Sequence, residues 1–168
     1  MTVILVCGPT GVGKTTYSIA LAQELGAVRF SIDPWMQTLY AKDMTELDYA
    51  WMIERVDRCY QQIWEVSEQI VKLGGAVVLD LGFTTKAQRA AFVALASGAG
   101  ASARIHYLSA SAEQRKTWVQ KRNTEQDPLV YAFEVTDFMF DFMESRFEVP
   151  DPEELEGGKH IRRDNPVD

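Results

Sequence analysis

The sequence of 168 residues predicts an α/β fold with three layers, in which a mostly parallel sheet lies between helices. Short apolar runs typical of buried strands alternate with segments in which apolar residues recur every three or four positions. This alternation favours a parallel sheet, because each return to a parallel strand needs a crossover, usually a helix. The length is that of one domain, so we expect residues 1–168 to form a single domain with one active site.

The elements follow from these runs in chain order. Strands are predicted at residues 3–7, 27–32, 76–79 and 103–108, and helices at 14–25, 48–73, 85–96, 111–122 and 132–148. The helix at 48–73 carries an apolar stripe that fits either a core-facing surface or a coiled-coil seam, and Gly74 and Gly75 end it. That stripe consists of Met52, Val56, Cys59, Ile63, Val66, Ile70 and Leu73. The segment after Pro150 has no periodicity and holds one further edge strand or none.

Composition and charge exclude several classes of protein. No apolar run approaches the roughly 20 residues that span a bilayer, and the first run stops at Cys7 without a basic leader, so we expect a cytoplasmic protein without a membrane segment. Cys7 and Cys59 match no metal-ligand pattern and are expected to be reduced. The net charge of −7 makes nucleic acid a less favoured partner without excluding it.

A phosphate-binding motif follows the first predicted strand. The segment Gly8-Pro9-Thr10-Gly11-Val12-Gly13-Lys14-Thr15 matches every fixed position of the P-loop pattern and opens a predicted helix. In this motif Lys14 reaches the β- and γ-phosphates and the Thr15 hydroxyl is a magnesium ligand. The glycines allow backbone N–H groups to approach phosphate oxygens closely. The expected nucleotide-binding residues are Gly8, Thr10, Gly11, Val12, Gly13, Lys14, Thr15 and Thr16.

Other motifs narrow the kind of P-loop protein. The sequence contains no Asn-Lys-x-Asp guanine-reading segment, which argues against a GTPase switch. A mechanical ATPase of the AAA type usually needs a longer module with an additional helical lid domain. A small phosphotransferase therefore fits the chain best.

Further segments carry a resemblance to a known family. They are Ser31-Ile32-Asp33-Pro34-Trp35-Met36, Val77-Val78-Leu79-Asp80-Leu81-Gly82-Phe83, Arg122-Asn123 and Phe147-Glu148-Val149-Pro150, in addition to the P-loop. With them, nearly the whole chain resembles small P-loop kinases related to polynucleotide kinase, chloramphenicol phosphotransferase, zeta toxin and gluconate kinase, within the AAA-type ATP-binding domains. The resemblance implies a nucleotide-kinase-like fold, ATP with Mg²⁺, and transfer of the γ-phosphoryl group to a hydroxyl on which an acid after the second strand acts.

Two acids end predicted strands at the edge where open α/β sheets bind ligands. Asp33 matches the acid that the resemblance implies and is a candidate general base, but Asp followed by Pro also fits a helix N-cap with Pro at the first helical position. Asp80 has the form of a Walker B acid that holds magnesium; it also fits a substrate contact or a structural turn. Arg89 lies just beyond and binds substrate or lies on a solvated helix face.

The region 111–128 resembles the lid of these kinases. Arg115 and Arg122 are seven residues apart, which places them on roughly one face of a helix. A lid guanidinium would stabilise the transferring phosphoryl group, and Arg122 is our candidate for this catalytic role, whereas Arg115 fits a phosphate contact or a solvated surface equally. The sequence departs from the family at Trp118, where an arginine is often found. Trp35, beside Asp33, is a candidate substrate contact.

These observations predict an ATP- and magnesium-dependent kinase acting on a small hydroxyl-bearing molecule, such as a nucleoside, a sugar derivative or an antibiotic. Its catalytic residues would be Asp33, Lys14 and Arg122. Two alternatives remain: a 5′-hydroxyl polynucleotide kinase, and a regulatory nucleotide-binding ATPase that uses the helix at 48–73 to contact a partner. No catalytic histidine is predicted, and the sequence assigns no role to Glu148.

Overall fold

A parallel sheet organises the chain. The computed structural model describes residues 1–43, 48–127, 131 and 133–164. Its strands are β1 (Thr2–Cys7), β2 (Val28–Ser31), β3 (Ala76–Asp80), β4 (Ser102–Ser109) and β5 (Lys159–Arg162). They lie in the order β2-β3-β1-β4-β5, and each neighbouring pair is parallel. The strand β5 is the further edge strand that the sequence after Pro150 left undecided. Because all the pairs are parallel, the carboxyl ends of the five strands meet at one edge of the sheet.

Helices connect the strands and cover both faces of the sheet. They are α1 (Lys14–Leu25), α2 (Ile32–Tyr40), α3 (Tyr49–Lys72), α4 (Lys86–Gly98), α5 (Ala112–Glu125) and α6 (Asp137–Glu144), with a 3-10 turn at Ala41–Asp43. Side chains of β1 alternate between two cores, because successive residues of a strand face opposite sides of a sheet. Val3 and Leu5 pack in the core under α3 and α4, whereas Ile4 and Val6 pack in the core with α1. The predicted three-layer α/β fold is confirmed.

The stripe of α3 packs on the core. Cys59 and Ile63 are buried in the larger core, and Val66 and Ile70 pack against it. Leu73 departs from the predicted stripe, since it is 89% exposed where the helix gives way to the turn at Gly74. The stripe is therefore a core-facing surface and not a coiled-coil seam.

The helix predicted at 132–148 is shorter than expected. It begins after Thr136, whose hydroxyl accepts a hydrogen bond from the Met139 N–H, and it ends at Glu144. Ala132 lies outside the described residues. The segment that follows is held by other partners: Glu148 accepts a hydrogen bond from the Lys86 N–H at the start of α4. The Thr136 cap fixes the start of α6, and the contact of Glu148 with α4 takes the following segment out of the helix. Both override the apolar pattern that predicted a longer helix.

Cys7 and Cys59 are free and buried, and burial raises the pKa of the Cys7 thiol to about 12, so this thiol is protonated at neutral pH. Within the described ranges, no helix combines the length and the apolar character needed to cross a membrane.

Candidate active site

A cavity of about 410 Å³ opens at the carboxyl edge of the sheet. The loop after β1, the last residue of β3 and the start of α2 form its floor, and α5 forms a wall, as expected for a ligand site of an open α/β sheet. The lining residues are Thr10, Gly11, Val12, Gly13, Lys14, Thr15, Thr16, Ile32, Asp33, Asp80, Gly82, Trp118, Val119, Arg122, Phe133, Val135, Met143 and Arg163. Seven of the eight residues predicted to bind nucleotide line this cavity, and Gly8 is the exception.

The glycines of the P-loop permit close packing around the loop. Gly8 has a φ of +154°, and a Cβ there would lie 2.5 Å from the Leu108 carbonyl oxygen. Gly11 has a φ of +81°, and a Cβ there would lie 2.7 Å from Cγ2 of Val119 on α5. A side chain at either position would push the loop away from β4 or α5.

The start of α1 has the features of an anion-binding helix N-terminus. Its N-cap is Gly13, which provides no side-chain acceptor, and its first turn contains no acidic residue. The first N–H groups of a helix have no partner within the helix, and the N-terminal end carries a positive partial charge. The residues present therefore fit the phosphate groups that the motif predicts.

Lys14 is held in place by its own loop. Its Nζ donates hydrogen bonds to the carbonyl oxygens of Gly8, at 2.8 Å, and Pro9, at 3.0 Å. Burial lowers the pKa of Lys14, while the carboxylates of Asp80 and Asp33 oppose this shift. The ammonium group is thus positioned at the loop, within the electrostatic reach of both acids.

Asp33 lies in the first turn of α2 and lines the cavity. The helix N-cap is Ser31, so the interpretation of Asp33 as the N-cap, with Pro34 at the first helical position, is wrong. Asp33 keeps exposed surface at the cavity, yet partial loss of surrounding water raises its pKa, and the neighbouring carboxylate of Asp80 raises it further. Lys14 and Arg122 act in the opposite direction, which places Asp33 within the electrostatic influence of both cations.

Asp80 is supported from behind by a buried network. Its Oδ2 accepts hydrogen bonds from Arg29 Nη2 at 2.6 Å and from the Ser18 hydroxyl at 3.1 Å. The same hydroxyl lies 2.9 Å from the Thr15 carbonyl oxygen and accepts from Arg29 Nε at 2.7 Å. The network fixes the orientation of Asp80 relative to the start of α1. Asp80 and Thr15 both line the cavity, and a carboxylate and a hydroxyl are oxygen ligands of the kind that Mg²⁺ takes, so the residues present fit this ion.

Arg122 lies on the cavity wall that α5 forms. Its Nε is buried and has no hydrogen-bond partner within the described structure. Burial lowers the pKa of Arg122, and the charge of Asp33 opposes the shift. A buried donor without a partner is costly, and an anionic ligand in the cavity would satisfy it.

Arg115 does not lie on a solvated surface, and that interpretation is wrong. Its side chain is 3% exposed and pairs through two nitrogens with Glu144 of α6, at 2.8 and 2.6 Å. Nη1 also donates to the carbonyl oxygen of Thr10 at 3.0 Å. Arg115 thus joins α5, α6 and the P-loop through protein acceptors, and it is not among the residues that line the cavity.

Arg89 does not lie on a solvated helix face, which corrects another interpretation. Its side chain is 0% exposed, and its guanidinium pairs with Glu154 while donating to the carbonyl oxygens of Phe83 and Glu148. Trp35 packs edge-to-face on Phe30 at the larger core. Neither Arg89 nor Trp35 belongs to the cavity lining, so the structure gives both a structural role and no support as substrate contacts.

Two features of the cavity were not predicted from the sequence. Arg163, just after β5, donates from Nη1 to the carbonyl oxygens of Val12 and Gly13, each at 3.3 Å. The basic segment Lys159-His160-Ile161-Arg162-Arg163 was a signal in the sequence, but the pairing of β5 with β4 is what brings Arg163 to the P-loop. Trp118 and Met143 form part of an apolar wall whose composition the helical pattern did not reveal.

Comparisons with known proteins agree with this geometry. A family model described as an AAA domain matches residues 3–150. A search of curated proteins found no match.

Solved structures share the fold at low sequence identity. A candidate kinase from Chloroflexus aurantiacus has a TM-score of 0.72 and 18% identity, with 99% of this chain and 86% of that chain covered. Kti12 from Chaetomium thermophilum, in complex with ADP-AlF3, has a TM-score of 0.68 and 16% identity, with 98% and 91% covered. A gluconokinase from Sinorhizobium meliloti has a TM-score of 0.64 and 14% identity, with 98% and 84% covered. The chain therefore belongs to the AAA domain family of P-loop proteins and has the fold of small P-loop kinases.

Proposed function

We propose that this protein is an ATP- and magnesium-dependent kinase that transfers the γ-phosphoryl group to a hydroxyl of a small molecule. The observation that carries the proposal is the position of Asp33, which opens into the P-loop cavity under the electrostatic influence of Lys14 and Arg122. An acid that receives a proton and cations that stabilise a phosphoryl group are the groups that this reaction needs.

Each residue then has one task. The N–H groups at the start of α1 and the Lys14 ammonium bind the phosphates of ATP. Thr15 and Asp80 are the residues that would hold Mg²⁺, which supplies charge neutralisation of the phosphates when bound. Arg122, whose Nε has no protein partner, donates to the phosphoryl oxygens as charge develops there.

Asp33 orients the acceptor and takes its proton. Its carboxylate accepts a hydrogen bond from the substrate hydroxyl and aims the oxygen at the γ-phosphorus. The new O–P bond forms as the bond to the β,γ-bridging oxygen breaks, ADP leaves, and the proton passes to Asp33. The raised pKa of Asp33 suits this step, because a more basic carboxylate accepts the proton more readily.

The acceptor is proposed to be a small metabolite, nucleoside, sugar derivative or antibiotic in the cytoplasm. The net charge of −7 disfavours a polynucleotide, although a 5′-hydroxyl end remains the nearest alternative acceptor. Structural similarity to a gluconokinase supports a small-molecule acceptor.

The test measures ADP release from ATP and Mg²⁺ with a panel of nucleosides, sugars, aminoglycosides, phenicols and 5′-hydroxyl oligonucleotides. We expect one class to stimulate release, and Asp33→Asn to abolish the stimulation while retaining ATP binding. Asp43→Asn is the matched control, because Asp43 is exposed at the 3-10 turn outside the cavity lining. Equal stimulation in Asp33→Asn and the parent would contradict the role of Asp33.

A regulatory nucleotide-binding module is the second candidate. Similarity to Kti12 solved with ADP-AlF3 favours it, since that protein is not described as a kinase. The apolar stripe of α3 gives this candidate no docking surface, because Cys59 and Ile63 are buried in the protein's own core. Tight ATP binding without stimulation by any acceptor would favour the module over the kinase.

A further inference from the structure

The strand order gives the cavity two ends. Asp33 follows β2 at one margin of the sheet, Asp80 ends β3, the P-loop follows β1 in the middle, and Arg163 follows β5 at the opposite margin. Neighbouring strands lie about 4.8 Å apart, so the ends of β2 and β5 are separated by roughly 19 Å. In the proposed reaction, Asp33 lies at the end of the cavity where the acceptor reacts. Arg163 approaches the P-loop from the opposite end.

Backbone contacts fix the segment that carries Arg163. The Arg163 N–H donates to the Ser109 carbonyl oxygen at 2.8 Å, which extends the pairing of β5 with β4. The next residue, Asp164, accepts a hydrogen bond from the Ser111 N–H just before α5. The guanidinium thus projects from a segment tied on both sides, and its approach to the loop is set by the fold.

The guanidinium of Arg163 has donors available for a ligand. In the part of the chain that the structure describes, Nη1 is the one guanidinium nitrogen that contacts protein acceptors. These are the Val12 and Gly13 carbonyl oxygens, and both distances are long at 3.3 Å. Within the described residues, Arg163 forms no ion pair, in contrast with Arg29, Arg89 and Arg115, whose guanidinium groups each face a carboxylate. Arg163 is therefore a cation at the cavity surface. Among the described residues, three of its five N–H donors, the one on Nε and the two on Nη2, have no protein acceptor.

We propose that Arg163 binds the α- and β-phosphates of the nucleotide, the diphosphate that stays with the nucleoside after transfer. This inference rests on the proposed nucleotide site. The transferred phosphoryl group must lie near Asp33, so the remaining diphosphate extends over Gly13 toward the β5 side, where Arg163 meets it. The planar guanidinium of an arginine can donate two parallel hydrogen bonds to neighbouring phosphate oxygens. A lysine ammonium interacts with the same oxygens only as a point charge.

The proposal predicts equal losses of ADP and ATP affinity. Calorimetric titration with Mg²⁺ should show that Arg163→Gln weakens both nucleotides by about tenfold or more, as expected for loss of a charge-assisted hydrogen bond. Arg163→Lys should weaken them less, because it keeps the charge but loses the planar guanidinium. Arg162→Gln is the matched control, since Arg162 is exposed and neighbouring strand residues face opposite sides of the sheet. Thermal unfolding of each variant checks that the fold is retained.

Each other outcome would overturn the proposal in a recognisable way. Unchanged ADP affinity in both Arg163 variants would show that Arg163 does not bind the diphosphate. A loss confined to ATP would place Arg163 at the transferred phosphoryl group instead. A parent protein that binds neither ADP nor ATP would remove the proposed function itself, and with it this inference.

Discussion

Asp33 experiences two opposing influences at the residue scale. Loss of surrounding water and the charge of Asp80 favour its protonated form, whereas Lys14 and Arg122 favour the carboxylate. The net result is a raised pKa, so the folded protein holds this proton more tightly than the unfolded chain does. Stability therefore falls as pH rises from the ordinary pKa of an aspartate to the raised one, and the cost persists above it.

We expect Asp33→Asn to raise the midpoint of thermal unfolding slightly at pH 7.5, because asparagine carries no charge that the cavity disfavours. The gain is small because Asp33 keeps solvent-exposed surface. The gain should vanish at about pH 2, well below the ordinary aspartate pKa of about 3.9, where Asp33 is protonated in both states. Scanning calorimetry of the parent, Asp33→Asn and the exposed control Asp43→Asn measures the effect. An equal gain at both pH values would show that charge is not its cause.

The pH dependence of catalysis gives a test of the contact between Arg122 and Asp33. Activity that needs the Asp33 carboxylate is lost as pH falls through the pKa of Asp33. Arg122 lowers that pKa, so Arg122→Gln should move the acid limb of kcat/KM to higher pH, in addition to reducing the rate. A reduced rate with an unmoved acid limb would mean that the two side chains do not interact in the active enzyme.

Residues of the site differ in how far the sequence could predict them. Lys14 and Thr15 belong to a contiguous motif whose function depends on local geometry, and the sequence identified them directly. The surroundings of Arg89 and Arg115 depend on Glu154 and Glu144, which are distant in the chain. A charged residue in a helix is usually exposed, so sequence reasoning offered a solvated position for both, with a substrate or phosphate contact as the alternative.

At the scale of elements, α5 is held against the P-loop by Arg115. This guanidinium pairs with Glu144 of α6 and donates to the Thr10 carbonyl oxygen, while Gly11 allows Val119 to approach the loop. Helix and loop are thus coupled before any ligand binds. The sequence predicted the helix but not this coupling, because the contacts arise only when α6 returns to α5.

We expect Arg115→Met to lower the free energy of unfolding by about 2 kcal/mol. The variant loses the buried hydrogen bond to the Thr10 carbonyl oxygen and the pair with Glu144, whose carboxylate is 40% exposed and can be solvated. Lys116→Met is the matched control: Lys116 pairs with Asp141 at the surface, and its loss should cost less than about 1 kcal/mol. Urea unfolding measures both values. Equal costs for the two variants would contradict the buried role of Arg115.

At the scale of the whole molecule, a buried ion pair fixes the chain between α6 and β5. Arg89 of α4 pairs with Glu154 and donates to the Glu148 carbonyl oxygen, so that this segment packs on α4 before β5 enters the sheet. The pair lies away from the cavity lining. Its role is therefore to join distant segments and to place β5, with Arg163, at the sheet margin.

Glu154→Ala should lower the free energy of unfolding by about 3 kcal/mol, because it leaves the buried Arg89 charge without a carboxylate. The exposed neighbour Glu153 provides the control Glu153→Ala, which should have little effect. Acceptor affinity, expressed as KM, should stay unchanged at temperatures at which Glu154→Ala is folded. A raised KM with unchanged stability would instead indicate that Arg89 contributes to binding of the acceptor.

The sequence predicted the layers of the fold and four of its strands, but not the order of the strands in the sheet. Apolar runs identified β1 to β4, since buried parallel strands are continuously hydrophobic. The position of β5 beside β4 depends on contacts between distant segments, and its sequence, Lys159–Arg162, is half basic. The sequence therefore located the acids at one edge but could not bring Arg163 to the same cavity.

The most direct test of the account is the binding of ATP with Mg²⁺ to the parent, to Lys14→Ala and to the control Lys42→Ala. Lys14 lies at the P-loop, whereas Lys42 is exposed in the 3-10 turn outside the cavity lining. The account predicts that Lys14→Ala weakens ATP binding by about 100-fold, from loss of charge-assisted hydrogen bonds to two phosphates, and that Lys42→Ala binds like the parent. Equal affinity in all three proteins would contradict the assignment of this cavity to the nucleotide.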